Sequence, residues 1–236
     1  MCTSLVYRNL NEKSFGIGFN RDESIKRGPS NHPEIFQNGK IKFLCPIDGD
    51  YGGSWIGVNS NKTIYALLNY YEAQLKILRN PVSRGLLIKE LIGEQFHLID
   101  LKKERLEKFY PFRIIKVTLD HTDIFVWDGE NIDFYTNNDD WKIYASSFLL
   151  GSEIEKMREE VFFNHFLKKA EPAEFINISK NFFSAHLPEK GPKSPCMHRR
   201  EAHTVSNTII YINNKIEMYY KNQQPCMEGE YSVHEI

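Results

Sequence analysis

At 236 residues, the chain is long enough for one generous domain with a sizeable core. Its 30 Lys and Arg against 31 Asp and Glu leave a formal charge of -1, which argues against a dominant nucleic-acid or polyanion surface. Hydrophobic residues make up 41% and charged residues 26%, and no apolar run approaches the roughly 20 residues that a membrane-spanning helix needs.

The start, Met1-Cys2-Thr3-Ser4, carries no basic leader followed by an apolar core, so a cytoplasmic location is expected. There Cys2, Cys45, Cys196 and Cys226 are expected to be thiols, because disulfides are rare in reducing compartments. Two short apolar-aromatic runs, Ser4 to Tyr7 and Phe15 to Phe19, flank Asn11-Glu12-Lys13 and predict a hairpin. The glycines at 16 and 18 leave room for close backbone approach. Asn20-Arg21-Asp22-Glu23 follows directly and is expected at the strand end, where turns carry function. Further strands are expected at 41–44, 54–58 and 63–68, with Asn59-Ser60-Asn61 as a turn.

The hydrophobic period then changes. Leu86, Leu87 and Leu91, between Ser83 and Gly93, predict a helix. Strands return at 112–119 and 124–127, and Asp128-Gly129 turns into a strand at 132–135. Ile154, Met157, Val161, Phe162 and His165 recur at helical spacing, with Ser152 as the expected cap. A second helix is predicted over 174–183, loop over 187–195, and a closing hairpin from 204–211 and 215–220. Strands, then helices, then strands again suggest α+β layers, and no linker marks a boundary, so residues 1–236 are expected to form a single domain.

Cys2 stands out by its place in the chain. Removal of Met1 would leave one residue with both a thiol and an α-amine, whose pKa near ~7.7–8.0 suits it to act as base for its own side chain. Beside it, a carboxylate such as Asp22 can hold an ammonium, and a guanidinium such as Arg21 favours thiolate. Cys196, His198, His203 and Cys226 invite a zinc reading, but their spacing matches no recognised finger, and no metal is assigned to them. A haem axial role for His198 or His203 has no attachment motif to support it, and no cofactor is expected.

Taken in order, Met1-Cys2-Thr3, Asn20-Arg21-Asp22-Glu23, Gly52-Gly53-Ser54-Trp55 and Ala66-Leu67-Leu68-Asn69 resemble the NRDE family, the homologues of transport and Golgi organisation protein 2. The resemblance continues through Ser83-Arg84-Gly85-Leu86, Ile143 to Ser147, Arg158-Glu159, Cys196-Met197-His198-Arg199 and Thr204-Val205-Ser206, and is strongest to bacterial members. It implies the N-terminal-nucleophile hydrolase superfamily and a four-layer αββα sandwich. By that resemblance Cys2 corresponds to the nucleophile of penicillin V acylases and bile salt hydrolases. Arg21 and Asp22 fall near an Arg and an Asp of those enzymes, although here the two are adjacent. Asn69 resembles the Asn that lines the oxyanion hole, and Arg199 is the nearest match to a distal Arg. Asn20, Glu23, Trp55 and Arg199 are the candidates for substrate contact.

Two functions are therefore expected to compete. One is a cysteine amidohydrolase acting on non-peptide C–N bonds. The other is a non-catalytic protein that binds or traffics haem or an acyl ligand, as eukaryotic relatives have been linked to haem trafficking. The expected partner is a small-molecule amide, acyl or haem ligand, with no nucleic acid and no membrane insertion.

Overall fold

The computed structural model describes residues 2–73, 77–167 and 174–236, which fall into two compact units. One unit comprises the chain up to Gly28 together with Asp139–Glu235. Its strands are β1 (Cys2–Asn9), β2 (Ser14–Ser24), β10 (Trp141–Ser146), β11 (Ala202–Ile212), β12 (Ile216–Lys221) and β13 (Ser232–Glu235). They form one antiparallel sheet in the order β10-β1-β2-β11-β12-β13, so β1 and β2 are interior strands. Two helices, α3 (Glu153–His165) and α4 (Phe175–Ser184), belong to the same unit.

Alternation along the strands decides what those helices cover. Leu5 and Tyr7 of β1 share an apolar cluster with Phe162 of α3 and Phe175, Phe182 and Phe183 of α4. Gly16 and Gly18 sit on the matching face of β2. A Cβ on Gly16 would lie 2.7 Å from the Phe175 ring, and one on Gly18 would lie 2.3 Å from that of Phe183. The close approach expected at these glycines is thus filled by helix aromatics rather than by a ligand. Thr3, Asn20 and Asp22 share this helix-covered face by parity, whereas Cys2 and Arg21 point to the opposite one.

The other unit, Pro29–Asn138, holds β3 (Asn31–Asn38), β4 (Ile41–Ile47), β5 (Ile56–Asn59), β6 (Ile64–Asn69), β7 (Phe112–Val117), β8 (Thr122–Trp127) and β9 (Ile132–Asn137). These pair in chain order as an antiparallel meander. Helix α1 (Arg84–Ile92) inserts Leu87, Ile88, Leu91 and Ile92 into a core with Phe112, Ile114, Phe125 and Trp127, while the single-turn α2 (Lys103–Leu106) contributes Leu106. Ser83 caps α1 by accepting from the Gly85 N–H.

The expected α+β class is therefore observed: two antiparallel sheets with few helices. Several local expectations need correction. Asn20-Arg21-Asp22-Glu23 is not a turn; it continues β2, with β1 carrying the ladder to Arg21 and β11 carrying it to Ser24. Ser152 does not cap α3, because its own backbone is already helical (φ -71, ψ -15) and its side chain makes no cap bond. Strands β3, β10 and β13 were not anticipated. All three are edge strands, and Pro33 is tolerated in β3 for that reason.

Candidate functional site

The ladder fixes Cys2 from two sides. It pairs with Arg21 of β2 and with Ser146 of β10, and its backbone nitrogen donates to Ser146 Oγ at 3.2 Å. That nitrogen is the atom that Met1 removal would turn into an amine. The side chain is half-buried. Burial pushes the thiol up to about 11; the positive charge of the chain's amino terminus and a hydrogen bond from the Asp22 backbone N–H oppose the rise, and the carboxylates of Asp22 and Glu23 add to it.

Beneath Cys2, on the helix-covered face, lies a buried polar network. Asp22 is 2% exposed, and its Oδ1 accepts from Thr204 Oγ1 at 2.6 Å. Burial raises this carboxyl above its ordinary value, against the pull of the Arg158 charge and the Thr204 hydroxyl. Arg158, on the inner face of α3, is fully buried. Its Nη1 donates to Thr3 Oγ1, its Nη2 donates to the Ser194 carbonyl at 2.8 Å, and its charge acts on both Asp22 and Cys2. Asn20 joins the same layer. Its amide donates to the carbonyls of Phe183 at 3.0 Å and Pro195 at 2.9 Å, and its Oδ1 accepts from Asn207.

Adjacent strand residues face opposite ways, so Arg21 and Asp22 cannot act on one side of the sheet. Arg21 instead pairs with Glu23, two residues on, at 3.2 Å. Arg199, taken as the nearest distal Arg, pairs with Glu201 in the turn before β11. In the sequence Arg158 stands only as part of a motif; the signal that singles it out, full burial of one Arg in a charged helix, exists only in three dimensions.

The second unit holds the other two candidates. Asn69 ends β6 opposite Phe112, and its amide donates to the Tyr71 hydroxyl at 2.7 Å. Trp55 is a buried side chain just before β5. The close approach at Gly53 is to the start of α1, since a Cβ there would lie 2.4 Å from the Gly85 carbonyl carbon.

A second cluster lies in the first unit. His186 follows α4, Cys196 and His198 precede β11, and Cys226 follows β12; one donor atom of each lies within 4.8 Å of the other three. His203, grouped with this set on spacing, falls outside it and forms an isolated bridge with His198. His186 went unnoticed because nothing in the spacing joins it to the others.

Solved structures show what fold these sheets build. A mutant conjugated bile acid hydrolase from Clostridium perfringens matches with a TM-score of 0.56 at 13% identity, over 100% of this chain and 92% of that one. An N-acylethanolamine-hydrolyzing acid amidase ortholog from Caenorhabditis elegans matches with 0.57 at 13% identity, over 97% and 95%. A second variant of the bile acid hydrolase gives 0.56 at 11% identity. The fold is thus that of the N-terminal-nucleophile hydrolases. No curated protein sequence matches the chain. A family model, Transport and Golgi organisation 2, matches residues 1–223, and the chain belongs to that family. Among the described residues, no helix is long and apolar enough to cross a membrane.

Proposed function

We propose that this chain is a cysteine N-terminal-nucleophile amidohydrolase for non-peptide amides, with Cys2 as nucleophile once Met1 is removed. The observation that carries the reading is the position of Cys2: it opens an interior strand, its nitrogen is held by Ser146, and a buried Asp22–Arg158–Thr204 network lies beneath it. The solved bile acid hydrolase mutant of similar fold replaces a cysteine at its second position by alanine, and the other similar protein is named as an amidase.

In this reading the α-amine takes the thiol proton as sulfur attacks the amide carbonyl, then passes it to the departing amine. Water cleaves the resulting thioester and returns the thiol. A buried thiol held above its ordinary value is mostly protonated near neutral pH, so in this reading the α-amine acts as its base. A backbone N–H would hold the oxyanion, and Glu23 and Arg199, in the same unit as Cys2, are the candidates for substrate contact. Asp22 and Arg158 set the charge around the nucleophile.

The carrier reading keeps the same fold without turnover, with haem or an acyl ligand as its cargo. One experiment weighs both. Intact mass of the purified protein reports Met1 removal, and a panel of acyl amides with short aliphatic, fatty and bile-acid-type acyl groups reports turnover. The amidohydrolase reading expects a chain beginning at Cys2 and turnover that Cys2→Ala abolishes. Retained Met1, or no cleavage together with haem or acyl-ligand binding that survives Cys2→Ala, would sink it in favour of the carrier.

A further inference from the structure

We infer that His186, Cys196, His198 and Cys226 form a structural zinc site that ties three separate chain segments together on the first unit. The set contains two thiols and two imidazoles, the composition of closed Cys2His2 zinc centres. Bond lengths of about 2.3 Å to sulfur and about 2.0–2.1 Å to nitrogen place the donors of a tetrahedral site roughly 3.3–3.8 Å apart. Cys196 Sγ and Cys226 Sγ lie 3.5 and 3.6 Å from His198 Nε2, within that range. His186 Nε2 approaches the same nitrogen to 3.0 Å, and the widest separation in the cluster, up to 4.8 Å, closes with a modest side-chain rotation.

Backbone contacts hold the donors in place. The Cys196 N–H donates to the Ala185 carbonyl at 3.1 Å, which brings His186 and Cys196 together across ten residues of chain. Met197 exchanges hydrogen bonds with Thr204, anchoring the segment that carries Cys196 and His198. Lys221 Nζ donates to the carbonyls of Pro225 and Met227 on either side of Cys226. Cys196 is fully buried and the other three ligands are half-buried, as suits a closed, four-ligand site rather than one left open for substrate. On binding, Zn2+ displaces the two thiol protons, which leave to solvent, and no electron transfer is involved.

The site also bears on Asp22. Thr204 Oγ1 accepts from the Met197 N–H at 2.8 Å and donates to Asp22 Oδ1 at 2.6 Å, so the metal-bearing segment stands one hydroxyl away from the network beneath Cys2.

The test is zinc content of the full-length protein, produced in zinc-supplemented medium, desalted under reducing conditions and measured by elemental mass spectrometry. About one zinc ion per chain is expected, falling to background in Cys226→Ser and His198→Ala and unchanged in His203→Ala. Cobalt(II) added to metal-stripped wild type should give the visible bands of tetrahedral thiolate coordination, and zinc should erase them. This arm decides the matter even if the variants fail to fold. Wild type that binds neither metal overturns the site. So does a Cys196–Cys226 disulfide that persists in reductant, or zinc content equal in wild type and both ligand variants.

Discussion

The two sheets of this protein are built on different terms. In the seven-stranded sheet, burial is mainly apolar: Leu87, Leu91, Phe112, Ile114, Phe125 and Trp127 fill one core, and the Trp127 indole N–H is satisfied by the Phe109 carbonyl at 3.2 Å. The six-stranded sheet buries Thr3, Asn20, Asp22, Arg158, Thr204 and Asn207 along β1, β2, β11 and α3. Buried polar groups are costly unless each finds partners, so a stack of them must be specified group by group. An apolar core needs only shape and volume. The six-stranded sheet is therefore expected to be the more sensitive to substitution of its buried polar groups.

The sharpest way to break that contrast is to remove Arg158. Arg158→Met leaves Asp22 buried without its cationic neighbour, and loss of one member of a buried charge pair typically costs about 3–5 kcal/mol. Ile114→Val, an apolar trim in the second unit, should cost about 0.5–1.5 kcal/mol. Urea denaturation of both variants measures the gap, and equal costs would erase the distinction.

A smaller effect comes from pH. Burial raises the Asp22 carboxyl, so across the window between its unfolded and folded values the folded protein holds a proton that the unfolded chain has released. Stability from this group is therefore greatest on the acid side and falls as pH rises through that window. Asp22→Asn should flatten that component of the pH profile. A wild-type curve that rises more steeply than the variant's over the same window would contradict the assignment.

Helix caps give the smallest difference. Ser83→Ala should destabilise by about 1 kcal/mol, because Ser83 accepts from the Gly85 N–H at the start of α1. Ser152→Ala should stay within about 0.5 kcal/mol, because Ser152 caps nothing. Thermal melts of the pair suffice to check the ordering.

Which parts were legible in the sequence follows the same division. Apolar runs and turn residues marked β1, β6, β7, β8 and α1, since each element buries its own pattern. Strand β3 exposes most of its side chains and carries a proline, so its local pattern resembles loop. Strand β10 follows Asn137-Asn138-Asp139-Asp140 and owes its place to pairing with β1, a contact across more than 130 residues that no local window reports. At the site, Cys2 was legible because position alone marked it, and Asp22 because a motif did. The side on which Arg21 and Asp22 act was not, because a turn and a strand give the same four letters different faces. His186, Cys196, His198 and Cys226 stayed illegible as a set, because the fold, not the spacing, makes them neighbours.

The pairing of β2 with β11 has a consequence for synthesis. Asp22 and Thr204 stand 182 residues apart, so β2 leaves the ribosome long before its second neighbour exists. At about 5–20 residues per second, the hairpin of β1 and β2 waits roughly 10–40 s with one edge of an interior strand exposed. Meanwhile Pro29–Asn138, a continuous stretch whose strands pair in order of emergence, can complete its own sheet. The nascent chain can thus finish that sheet first, while the strand that carries Asp22 gains its second neighbour only near the end of synthesis.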